Sequence, residues 1–95
     1  MNIVRDNIFN EIDNERESQD KQWGGPDHDD EHDVLDWIYF IERQMKQARL
    51  VVYNSYDPKQ DEPDMNVYRK KLVNAAALAI AAIEAHDRKN KNVDD

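Results

Sequence analysis

The chain has no cysteine, which excludes disulfides, thiolate nucleophiles and cysteine metal ligands. It has two glycines, adjacent at Gly24 and Gly25, so no glycine-rich phosphate loop is present. No segment alternates apolar and polar residues as a half-buried strand does. The longest apolar run, from Ala75 to Ile83, is far too short to span a bilayer, so no membrane association is expected. Basic residues are outnumbered, 13 Lys and Arg against 21 Asp and Glu. The net charge is −8, which disfavours contact with nucleic-acid backbones, because phosphates need grouped Lys and Arg. The opening Met-Asn-Ile-Val-Arg-Asp lacks the layout of a signal peptide, and a cytoplasmic location is expected. A chain of 95 residues makes one small domain with a thin core. A second copy is expected to complete it, so a homo-oligomer is anticipated.

Helix-forming sequence dominates what remains. The stretch Tyr68–Arg88 is rich in alanine, the strongest helix former, and contains no breaker. Leu72, Ala76, Ala79, Ile80 and Ile83 recur at helical spacing, and Val73, Ala77, Ile80 and Ala81 trace a second apolar line. A helix apolar on more than one side packs on more than one side. The other elements are therefore expected to gather on this one.

Val4, Ile8, Phe9 and Ile12 mark an earlier helix over 3–22, polar after Ile12. Gly24 or Gly25 suits its C-cap, and Pro26 stops it. Val34, Trp37, Ile38, Ile41, Met45, Ala48 and Val52 predict a helix over 34–52, with Asp33 as N-cap and Asp36 three residues on. Residues 54–64 form a turn-rich connection, and Asp61 or Asp64 caps a last helix over 64–88. The charged tail over 89–95 is expected to fray. The predicted fold is all-α: a three-helix domain over 1–95 whose second and third helices form an antiparallel hairpin.

The densest charge cluster is Asp27-His28-Asp29-Asp30-Glu31-His32-Asp33. Acids ahead of a helix N-terminus are favoured by its dipole, which accounts for much of the cluster without any function. The metal reading uses His28, Asp29, Asp30 and His32, the histidines being four apart. The preceding Gly-Gly-Pro predicts a loop here rather than a helix. Facing carboxylates for a hard cation are scarce: the second helix offers Asp36 and Glu42, and the third none before Glu84. Ser18 and Ser55 lack a His–Asp context, so no catalytic residue is assigned. Trp23 reads as a lid at a helix end or as a ring for ligand stacking.

Glu15-Arg16-x-x-Gln19-x-x-x-Trp23-Gly24, His28-Asp29-Asp30-x-His32, Asp36-Trp37 and the later Leu72-Val73-x-x-Ala76-Ala77-Leu78-Ala79 run together resemble small helical proteins of bacteriophages and prophages. More distantly, the layout is similar to MazG-like nucleotide pyrophosphohydrolases. The resemblance covers most of the chain outside 54–64 and the tail. It implies a helical site in which those enzymes hold magnesium with paired acids on two helices. Aligned from Trp37, this chain carries Arg43, Gln44 and Gln47 at the first set and residues near Lys71 and Asn74 at the second. Basic and amide side chains do not replace carboxylates around magnesium. The resemblance therefore implies a lost metal site and a cavity able to accept phosphate.

Three readings compete. The first is a non-catalytic protein that binds a small anionic ligand, a nucleotide by this resemblance. Arg43, Lys46, Lys71 and Asn74 would contact phosphate and Trp23 or Trp37 would stack. In a phage setting, in the host cytoplasm, such binding would counter nucleotide-signalled defence. The second is an acidic interaction module that inhibits a basic host protein. The third is a metal-dependent nucleotide hydrolase built on His28, Asp29, Asp30 and His32 with Glu15. The plain alternative for Arg43 and Lys71 is that they are ordinary exposed charges.

Overall fold

The computed structural model describes residues 2–53 and 62–93, with 91–93 as backbone alone. Most of the expected turn-rich connection, and Asp61 with it, lies outside the described residues. The described residues form four helices: α1 (Ile3–Trp23), α2 (Pro26–Asp29), α3 (Val34–Tyr53) and α4 (Met65–Val93). No strand occurs among the described residues, and the fold is all-α.

The alanine-rich helix is the hub: α1, α2 and α3 each pack on α4. α3 and α4 run antiparallel. Lys89 Nζ donates to the His32 carbonyl at one end, and Asn74 Nδ2 donates to Gln44 Oε1 further along, so numbers rise on α3 as they fall on α4. Trp37, Leu78, Ala81 and Ala85 form the core, with Phe40, Ile41 and Ala82 against it. Ala75 and Ala77 are buried as well. Small side chains let the helix backbones approach, and one Trp fills the gap that alanines leave.

Of the two apolar lines read from sequence, the second gives the inward face in part, since its Ala77 and Ala81 are buried. Ile80 and Ile83 are 41 % and 59 % exposed, and the buried line runs instead through Leu78, Ala81 and Ala85. Both apolar lines have helical spacing, so periodicity alone does not choose between them. The α3 contact chooses the alanine line because it permits closer approach to Trp37.

The helix ends follow local chemistry. Gly24 adopts a left-handed C-cap at φ 99°, and its N–H reaches the Asp20 carbonyl at 2.9 Å. Asp33 and Asp36 cap α3 reciprocally: Asp36 N–H donates to Asp33 Oδ1 at 2.8 Å, and Asp33 N–H donates to Asp36 Oδ2 at 3.1 Å. Asp64 Oδ1 accepts from the Asn66 N–H at 3.0 Å at the start of α4. One expectation needs correction. The segment after Gly25 is a one-turn helix, because Pro26 sits at its first position, where the missing N–H costs nothing. α4 runs to Val93. The apolar start of α1 is uncovered, with Val4 and Phe9 both exposed. Among the described residues no helix is long and apolar enough to cross a membrane.

Candidate functional site

A cleft of about 620 Å³ opens where the end of α1, the α2 turn and α3 meet α4. α3 contributes Phe40, Arg43, Gln44 and Gln47, the i, i+3, i+4, i+7 row of one helix face. α4 contributes Lys71, Leu78 and Ala81. Gln19 and Trp23 close the α1 side, and His28 and His32 the α2 side. The cleft thus has an apolar floor and a rim of amides, imidazoles and cations.

The aromatic groups interlock edge to face around His32. Its ring lies 4.9 Å from His28, 4.9 Å from Phe40 and 5.4 Å from Trp37. Trp37 is 7 % exposed and belongs to the core, so it serves as floor. Trp23 is 47 % exposed and is the tryptophan with ring surface to offer a ligand.

Arg16 holds the acidic end together. Its guanidinium lies 3.0 Å from Asp20, 3.3 Å from Glu84 and 3.6 Å from Asp29, and also donates to Gln19. Burial pushes the Asp29 carboxyl above its ordinary pKa, against the pull of the adjacent Arg16. Arg43 and Lys71 differ. Among the described residues Arg16, Arg69 and Arg88 carry the arginine ion pairs. Arg43 and Lys71 have no carboxylate partner among the described residues. Asp29 is the one acid among the described residues lining the cleft, and Arg16 engages it.

Of the residues marked from sequence, Arg43, Lys71, Trp23, Trp37, His28, Asp29 and His32 all border this cleft. Lys46 does not; it lies on the outer side of α3 beside Glu42 and Arg49. Asn74 sits behind Gln44, its Nδ2 on Gln44 Oε1 at 3.3 Å. The metal set does not converge. Asp29 turns to Arg16, Asp30 pairs with Arg88 at 2.8 Å, and the two imidazoles face each other, Nε2 to Nε2, at 3.3 Å. Among the described residues no group of three or more His, Asp and Glu side chains is placed to hold a metal ion. Arg43, Gln44, Gln47 and Lys71 line the cleft between α3 and α4 and bring no carboxylate to it.

Sequence reasoning did not assign Arg16, Gln19, Phe40, Gln44 or Gln47 to the ligand site. The signal was the α3 row Phe40–Arg43–Gln44–Gln47, which places amides and a cation on a face otherwise turned to the core. Two amide oxygens, Gln47 Oε1 and Asn74 Oδ1, are buried without a partner among the described residues. Fold and site define a helical protein with a polar-rimmed cleft between a helical hairpin and an N-terminal helix. No family model, no curated protein and no solved structure matches the chain.

Proposed function

We propose that the cleft binds a small anionic ligand of the nucleotide class and does not transform it. On this reading the chain is a phage-encoded, MazG-like helical protein whose metal-binding acids have been replaced, and it acts by sequestering a nucleotide used in host defence. One observation carries the proposal: Arg43 and Lys71 border one cleft with no carboxylate partner among the described residues, over a floor of Trp37 and Phe40. Cations with no carboxylate partner among the described residues, set beside an apolar floor, suit a ligand with a charged end and a flat, apolar end. Trp23 supplies an exposed ring for stacking. The non-catalytic part rests on the wall chemistry, since arginine and lysine repel a divalent cation and neutral amide oxygens without facing carboxylates hold magnesium weakly.

Isothermal titration with a panel of nucleoside mono-, di- and triphosphates and cyclic nucleotides tests this. At least one member is expected to bind, and Arg43→Gln and Lys71→Gln are each expected to weaken it by about tenfold, the loss of one charge-assisted contact. If no member binds, the proposal fails. Phosphate release from any member in magnesium or manganese would overturn the non-catalytic part.

A further inference from the structure

We infer that the outer face of α3 is the contact surface of a homodimer, meeting the same face of a second copy with the two helices antiparallel. This does not rest on the ligand proposal.

The face opposite the core carries Leu35, Ile38, Tyr39, Met45, Leu50 and Tyr53, and these are 70 %, 49 %, 59 %, 43 %, 48 % and 70 % exposed. Leu35, Ile38 and Tyr39 stand at the first end of this face and Leu50 and Tyr53 at the other, with Met45 at its edge and charged residues between the two apolar ends. The charges on the same face name the occupant. Glu42 stands in the first half of the face, and Lys46 and Arg49 stand in the second.

A parallel copy would set Glu42 on Glu42 and Lys46 on Lys46. An antiparallel copy centred on the turn holding Gln44 does the reverse. Glu42 and Lys46 are equally distant from Gln44, as are Tyr39 and Arg49, and Leu35 and Tyr53. The antiparallel pairing therefore sets acid against base, arginine against an aromatic ring, and apolar against apolar, each twice. Ile38 and Leu50 are equidistant from Gln44 as well and extend the apolar contact. Such internal complementarity is the requirement of a two-fold interface, where one patch must fit itself. A foreign partner imposes no such symmetry.

Arg43 and Gln47 border both the outer groove of α3 and the cleft. The dimer seam consequently runs along the rim of the cleft.

The test is sedimentation equilibrium of the full chain over a dilution series, on wild type, Glu42→Lys and Lys46→Glu. Wild type is expected at twice the chain mass. Each variant creates like-charge layers twice over and is expected to raise the dissociation constant by tenfold or more. In an equimolar mixture of the two variants, the introduced lysine of one faces the introduced glutamate of the other. The unaltered Glu42 and Lys46 face each other in the second layer, so the dimer is expected to return as a heterodimer. The double variant Glu42→Lys/Lys46→Glu is expected to dimerise like wild type. A monomeric wild type at every concentration, variants as dimeric as wild type, or a mixture that stays monomeric would each overturn the inference.

Discussion

At the residue scale, Arg16 shows how a thin core tolerates buried charge. Its side chain and that of Asp29 are both 10 % exposed, so water replaces neither partner if the other is lost. Arg16→Met is expected to destabilise the fold by about 3 kcal/mol, since it strands a buried carboxylate. Urea unfolding followed by far-ultraviolet circular dichroism measures this, and adding Asp29→Asn to Arg16→Met is expected to recover part of the loss. Asp29 also sets a pH trend. Its folded pKa is raised by burial, so the folded state holds the proton more tightly than the unfolded state does. Its contribution to stability is greatest below the ordinary value of 3.8 and falls as pH rises through the raised folded value. Wild type is therefore expected to gain on Asp29→Asn as the pH is lowered, and a difference independent of pH would refute the assignment. Gln47 presents the opposite case. Its buried oxygen lacks a partner among the described residues. Gln47→Met is expected to stabilise the fold by about 1 kcal/mol, by removing an unmet desolvation penalty. If the cleft binds nucleotide, the same variant weakens that binding, a trade of stability for function.

At the element scale, the helices were readable where local chemistry decides and unreadable where packing does. The Asp33–Asp36 cap follows from residue types alone, whereas residue types left Gly24 or Gly25 for the end of α1 and Asp61 or Asp64 for the start of α4, and the structure places Gly24 and Asp64 there. The inward face of α4 does not follow from residue types, because alanine and isoleucine lines both satisfy helical spacing and only the close approach of α3 selects the alanines. α2 was missed because a single turn carries no periodicity. The turn that leads into it makes a sharp prediction. Gly25 has φ 72° and ψ −150°, a region open essentially to glycine, and a Cβ there meets no atom within 4 Å. Gly24 has ordinary left-handed geometry, and its Cβ would lie 3.7 Å from the His28 Cβ. Gly25→Ala is thus expected to cost more than Gly24→Ala despite the open space, about 2 against about 1 kcal/mol. Equal costs, or the reverse order in thermal melts, would show that sterics govern this turn. The tie between α1 and α4 is electrostatic at its other end, where Arg69 donates to both Glu11 oxygens at 2.6 and 2.8 Å. The hydrogen bonds from Arg69 hold the Glu11 pKa below its ordinary 4.5. A lowered carboxylate pKa gives stability that is present above the unfolded value and lost as pH falls through the folded one. The advantage of wild type over Glu11→Gln is expected to shrink below pH 4.5.

At the scale of the whole molecule, the cleft was partly legible. Arg43, Lys71, Trp23, Trp37, His28 and His32, marked from sequence, all line it. Lys46 lies outside the cleft, which the sequence did not tell, because α3 is apolar on both faces and with two candidate inner faces its rotation about the axis is undetermined by sequence. Contact with α4 fixes that rotation, turning Arg43 and Gln47 to the cleft and Lys46 outward. The global charge then sets a condition on any anion that enters. The chain carries −8, so a nucleotide approaches against a net repulsive field and meets attraction in the cleft near Arg43 and Lys71. Salt weakens the distant repulsion first, because the Debye length shrinks from about 30 Å at 0.01 M to about 10 Å at 0.1 M. Stopped-flow association of the nucleotide that binds best is therefore expected to speed up several-fold over that range. Dissociation is expected to quicken less, since contacts inside the cleft are shorter than the screening length throughout. In Arg43→Gln/Lys71→Gln the acceleration persists while dissociation becomes faster, because the far field is unchanged and the local hold is lost. An association rate that instead falls with salt would mean that the local cations outweigh the whole-chain charge at encounter distance, and the separation between a repelling surface and an attracting cleft would have to be abandoned.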